Sequence, residues 1–234
     1  MLEIKNLYVN YGALKIIQDV SMTVADAEIV ALIGANGTGK TTLVRAISKI
    51  NSISGGKIIF CGEDITDAAA DKVVEAGVIQ VPEGRKLFAQ MSVRENLEMG
   101  AYAKRARGKE KENLEYVYSV FPELKSMEKR ACGNLSGGQQ QMVAIGRSIM
   151  ACPKLLILDE PSIGLSPITT QNMFEAIRLI NKNGISILIT EQNVQDVLKM
   201  ANRAYVMQQG KIAMSGNAQE IAQNEELKKI YLGL

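Results

Sequence analysis

Apolar and polar residues alternate early in this chain, then give way to an unbroken apolar run. Leu2-Glu3-Ile4 and Val20-Ser21-Met22-Thr23-Val24 carry the period-two pattern of half-buried strands. Ile29-Val30-Ala31-Leu32-Ile33 instead reads as a strand covered on both faces. That run enters Gly34 directly. After Lys40, the residues Leu43, Ala46, Ile47 and Ile50 recur at helical spacing, so strand, loop and helix are continuous.

Short strands are also predicted at 58–60 and 77–81. From 83 to about 152 the pattern turns helical; strands return at 155–158, 185–190 and 203–207. Phe174, Ala176, Ile177 and Ile180 mark a helix between the first two of these, and an amphipathic stretch over 221–232 predicts a terminal helix. Strands alternating with helices predict an α/β fold with a mainly parallel sheet and crossover helices. The expected division is an α/β core over about 1–82 and 153–234, with a helical subdomain inserted over about 83–152.

Composition narrows the chemistry. The chain has 234 residues, enough for one large domain, with 47% apolar and 22% charged residues. The 27 basic and 25 acidic groups leave a net charge of +2, which argues against a dedicated nucleic-acid binder. The polar run around Lys104-Arg105-Ala106-Arg107 reads as a solvated face. The N-terminus has no signal-peptide pattern, and no apolar run approaches the roughly 18–20 residues of a membrane span. A cytoplasmic protein is expected, held at a membrane only through a partner. Cys61, Cys132 and Cys152 form no CxxC pair, and there is no histidine. Imidazole catalysis and ligation are thereby removed, and proton transfer falls to Asp, Glu, Lys or water.

Gly34-Ala35-Asn36-Gly37-Thr38-Gly39-Lys40-Thr41, followed by Thr42, matches GxxxxGK[ST] between a strand and a helix. Glycines at 34, 37 and 39 let backbone N–H groups turn inward as an anion nest at a helix N-terminus. Lys40 is expected at the β- and γ-phosphates of ATP, and Thr41 on Mg²⁺. The strand over 155–158 ends in Asp159-Glu160, placing Asp159 in the same ion shell and Glu160 as the base for an attacking water. Gln80, at a strand end, is expected to touch both ion and water. Tyr11, beside Gly12, is expected to stack on adenine. Leu135-Ser136-Gly137-Gly138-Gln139 precedes a helix with Met142, Ile145 and Ile149 on one face, a second anion site. One triphosphate does not need two such sites, so each chain is expected to lend its second site to a neighbour's nucleotide.

With these segments in this order, the sequence resembles the ATP-binding subunits of ABC transporters over essentially its whole length. The resemblance identifies Walker A at Gly34 to Thr41, the Q-loop at Gln80, the signature at Leu135 to Gln139, and Walker B ending at Asp159 with Glu160 catalytic. It implies a phosphate-loop, RecA-like core with an N-terminal antiparallel β region. Val81-Pro82-Glu83-Gly84-Arg85-Lys86-Leu87-Phe88, Ser92-Val93-Arg94-Glu95-Asn96-Leu97 and Glu191-Gln192-Asn193 are similar to one branch, the ATPases of branched-chain (hydrophobic) amino acid importers. Urea and short-amide importers are close relatives.

That branch implies integral-membrane permeases, a second related ATPase forming a heterodimer, and an extracytoplasmic solute-binding protein. A homodimer is the alternative in isolation. Two departures stand out: Glu191 occupies the expected switch-histidine position, and Ser166 the D-loop aspartate position. An ionised Glu191 would repel a γ-phosphate, so it turns away, works through water, or yields the donor role to Gln192. The site on this chain's own Lys40 is therefore expected to be the slower of a pair.

Overall fold

The structure, a computed structural model, describes residues 1–224. The period-two segments extend well beyond their clearest alternation. β1 (Leu2–Tyr11) and β2 (Leu14–Val24) form a long antiparallel hairpin. β3 (Ile29–Ile33) leads through the glycine-rich loop into α1 (Lys40–Ile47). Next come β4 (Gly55–Phe60), β5 (Glu63–Asp64), α2 (Ala70–Ala76) and β6 (Val78–Val81). The helices α3 (Val93–Glu98), α4 (Glu110–Val120), α5 (Pro122–Ser126) and α6 (Gly137–Met150) separate β6 from β7 (Leu155–Asp159). The chain continues through α7 (Pro167–Lys182), β8 (Ser186–Glu191) and α8 (Val194–Met200). β9 (Arg203–Gln208), β10 (Lys211–Asn217) and α9 (Ala218–Gln223) complete the described part.

The strands form two sheets. One is antiparallel, in the order β2-β1-β4-β5; the other runs β10-β9-β3-β8-β7-β6, parallel except for the β10 edge. A parallel sheet needs cover on both faces, and alternate side chains meet that need. Ala31, Ile33, Leu156, Leu158 and Ile189 face a core shared with α6 and α7. Val30, Leu32, Leu155, Ile157 and Leu188 face a second core, with Leu43 and Ile47 of α1 and the inner face of the antiparallel sheet. Each fully buried Leu or Ile contributes about 1.5–3 kcal/mol, so the strands are anchored from both sides.

Two expectations change. α1 stops at Ile47, and Ile50 is 61% exposed rather than on a buried helical face. The break falls at Lys49, whose φ of 58° is left-handed and ends the helix. The terminal helix expected over 221–232 is seen only as α9; the part beyond 224 lies outside the described residues. Among the described residues no helix is long and apolar enough to cross a membrane.

Candidate active site

β3, β7 and β8 end side by side, and their carboxyl ends carry the loop, the acidic pair and Thr190 to one edge of the sheet. Ligands of open α/β sheets bind at such an edge. Gly34 begins the loop because nothing larger fits: an added Cβ would lie 2.6 Å from the Met207 carbonyl oxygen. Gly39 is the N-cap of α1 with φ 107°, a conformation that only glycine adopts freely. Thr38 Oγ1 donates to the Ala35 carbonyl at 2.9 Å, and Gly210 N–H donates to the Thr38 carbonyl at 3.0 Å. The loop is thus tied both to itself and to the β9–β10 turn. The first N–H groups of α1 have no partner within the helix, leaving donors for an anion.

Lys40 is buried in this loop, 3% exposed. Its Nζ donates to the carbonyls of Gly34 (2.8 Å) and Ala35 (3.2 Å) and lies 3.2 Å from Glu160 Oε1. Glu160 has a left-handed φ of 48°, and its N–H donates to Thr190 Oγ1 at 3.0 Å. Thr190 Oγ1 also donates to Asp159 Oδ1 (2.9 Å), which accepts from Thr41 Oγ1 as well (3.2 Å). Burial lifts the Asp159 carboxyl above its ordinary range, against these two hydrogen bonds, and the nearby charges of Glu160 and Glu83 add to the rise.

Asp159 Oδ2 is buried without a hydrogen-bond partner. An orphaned carboxylate oxygen beside a threonine hydroxyl fits a hard cation such as Mg²⁺, which commonly takes one or two protein oxygens and completes its shell with phosphate and water. Among the described residues, no three or more Asp, Glu, Cys or His side chains are grouped so that they could hold a metal ion.

A cavity of about 480 Å³ opens above this arrangement, lined by Asn36, Gly37, Gly39, Lys40, Thr41 and Thr42 of the loop, and by Glu160. Ile16, Glu83, Ile163 and Gln192 complete the lining. Not every expected position lies in this lining. Gln80 is not part of this cavity: it lies within β6 opposite Ile157, and its amide atoms are buried without partners beside a different groove. Glu83, two residues past the carboxyl end of β6, lines the cavity instead. The strand end followed by proline was the available signal.

Glu191 turns away from the cavity, one of the alternatives that its sequence left open. Its carboxylate accepts from Ser162 N–H (2.9 Å) and Ser162 Oγ (2.7 Å), and burial lifts its pKa above the ordinary value against those bonds. Gln192 faces the cavity instead, its amide donating to Glu160 Oε2. Tyr11 is not brought to the lining; its hydroxyl accepts from Asn51 Nδ2 at 2.7 Å at the end of β1.

Ser136, Gly137, Gly138 and Gln139 likewise stand apart from Lys40. Ser136 caps α6 in a reciprocal box: its Oγ accepts from Gln139 N–H (3.3 Å), and its own N–H donates to Gln139 Oε1 (3.1 Å). Ser166 caps α7, accepting from Thr169 N–H at 3.3 Å. The groove beside Gln80, about 500 Å³, runs between the first helices after β6 and the core. It exposes Ile50, Val74, Phe88 and Met99, with the Arg147 guanidinium 5.7 Å over the Phe88 ring.

Residues 17–163 match the family model for ABC transporters. The chain is 38% identical, over the full length of both proteins, to the high-affinity branched-chain amino acid transport ATP-binding protein BraG of Pseudomonas aeruginosa. It is 32% identical to the lipopolysaccharide export system ATP-binding protein LptB of Haemophilus influenzae, covering 100% of this chain and 97% of that one. Among solved structures, MJ1267, an ATP-binding cassette of an ABC transporter, superposes with a TM-score of 0.88 at 27% identity, covering 99% and 98% of the two chains. With a phosphate loop, a paired strand-end acid and a capped glycine-rich helix on a fold shared from end to end, this chain belongs to the ABC transporter family and is one of its ATPases.

Proposed function

We propose that this chain powers an importer of branched-chain or other hydrophobic amino acids. The observation that carries the solute class is the end-to-end identity to BraG. The similarity to LptB supports a rival reading, export of a lipid-linked glycan, and urea or short-amide import is a third. The chain works in the cytoplasm, peripheral to the inner face of the cell membrane. It pairs with a second, related ATPase, or with its own copy in isolation, and it docks on two membrane permeases served by an extracytoplasmic solute-binding protein.

ATP enters over the loop. Its phosphates take hydrogen bonds from the α1 amides and draw Lys40 off the Gly34 and Ala35 carbonyls and off Glu160. Asn36, Gly37, Thr38, Gly39, Thr41 and Thr42 complete the grip. Asp159 and Thr41 would hold Mg²⁺, with Glu83 nearby; when bound, the ion would offset charge on the phosphate oxygens. Glu160, released from Lys40, accepts a proton from the water that attacks the γ-phosphorus, and the bond to the bridging oxygen breaks to leave ADP. Gln192 orients Glu160. A neutral amide donates hydrogen bonds but neither takes up nor releases a proton near neutral pH, as a switch histidine can, so this site turns over more slowly than its partner's.

Ser136 to Gln139 close on the neighbour's nucleotide, so ATP favours the closed pair and hydrolysis reopens it. The helical segment over 83–152 moves as a unit. The groove that exposes Phe88 and Met99 receives a permease loop, where Gln80 supplies the partnerless amide. Reconstitution with the permeases and binding protein in vesicles tests the reading: ATP-driven uptake of labelled leucine supports it. Hydrolysis coupled to glycolipid extraction, without uptake, overturns the import assignment.

A further inference from the structure

Gly84, Arg85 and Lys86 have φ values of 77°, 65° and 46°, three successive left-handed residues of which two have side chains. The conformation is held from outside. Arg147 Nη2 donates to the carbonyls of Arg85 (3.3 Å) and Lys86 (2.9 Å), and Lys86 N–H donates to the Gly84 carbonyl at 2.6 Å.

This turn carries the Arg85 guanidinium to the first residue of α6. A Cβ added at Gly137 would lie 3.0 Å from Arg85 Nη2 and 3.3 Å from Nη1, and Nη1 donates to Gln140 Oε1 at 3.2 Å. Among the described residues, no carboxylate is within ion-pair distance of Arg85. A cation held against the positive end of a helix is unfavourably placed in the chain by itself. An anion arriving there relieves both charges at once, and the planar fork of arginine suits phosphate oxygens.

We infer that Arg85 is lent together with Ser136 to Gly138 to the nucleotide of the neighbouring protomer, supplying the cation of that second anion site. This rests on the shared-site reading proposed above and adds to it a residue and a charge. Gly137 then has a second role besides its free amide: it leaves room for the guanidinium.

The test is a mixed dimer of differently tagged copies, one of them carrying Lys40→Ala, so that one productive site remains. That site combines the intact copy's Lys40 with the other copy's α6. With Arg85→Gln on the lending copy, the expected result is about a tenfold loss in kcat/KM for MgATP, as befits one charge-assisted contact. On the holding copy the same change should alter it by less than about twofold, and Arg85→Lys on the lending copy should restore most of the loss. Equal losses at both placements, or a lysine variant as poor as glutamine, would make Arg85 a strut within its own chain and overturn the inference. A parent mixed dimer that forms but does not hydrolyse ATP overturns the shared site itself, and the inference with it.

Discussion

Lys40 Nζ and Glu160 Oε1 are 3.2 Å apart, with both side chains more than nine-tenths buried. The group proposed to grip phosphate and the group proposed to take the proton therefore neutralise each other. Lys40→Ala leaves Glu160 as an uncompensated buried charge, at a cost of about 3–5 kcal/mol. Adding Glu160→Gln removes that charge, so the double variant should melt above the Lys40→Ala single. A double-mutant cycle of thermal midpoints without nucleotide checks this, and additive effects would deny the coupling.

Glu160→Gln alone keeps the shape of the side chain and loses its basicity. Phosphate release should fall by about 10²–10⁴-fold while ATP binding persists. Size-exclusion chromatography with MgATP should then show a dimer that the parent chain forms only transiently.

Glu83 lines the ATP cavity and Gln80 does not. Steady-state turnover of the purified chain should accordingly fall by about tenfold or more with Glu83→Ala, and clearly less with Gln80→Ala. The reverse ranking would return Gln80 to the site.

An alanine methyl at Gly34 would lie 2.6 Å from the Met207 carbonyl and from Thr38 Oγ1. Gly34→Ala should cost about 1–3 kcal/mol in denaturant unfolding and weaken nucleotide binding. Gly216 has open space around a would-be Cβ, so Gly216→Ala should stay within about 0.5 kcal/mol of the parent.

Glu191 titrates above its ordinary value of 4.5 because burial penalises its charge, and the donors from Ser162 only partly offset that. A carboxyl raised on folding favours the native state while protonated, and that contribution is lost as pH climbs from the ordinary value through the raised one. Glu191→Gln has no such titration. The thermal midpoint of the variant minus that of the parent should therefore increase from pH 4 towards neutrality; a flat difference would mean that Glu191 folds at no electrostatic cost.

Local spacing carried much of this molecule. The unbroken run Ile29 to Ile33, the glycines after it, and Leu155 to Asp159 each announce their place, because a two-sided strand and a phosphate loop are short-range patterns. Register at strand ends was less legible. Gln80 and Glu191 both belong to strands, β6 and β8, and the residues that reach the cavity lie just beyond, at Glu83 and Gln192. Periodicity locates a strand but not the residue at which it releases the chain toward solvent. β10 was missed for a related reason: its residues alternate between partly buried and exposed, with three small positions, Ala213, Ser215 and Gly216, weakening the apolar signal.

The tie between Gly210 and Thr38 has a further meaning. The ATP loop is braced by a hairpin turn that the ribosome makes some 170 residues later, and Gln18 N–H bonds to that same Gly210. A peptide spanning the motif, or a nascent chain halted after α7, would lack this brace. A nascent chain should therefore hold a nucleotide well only once residue 210 has left the ribosome.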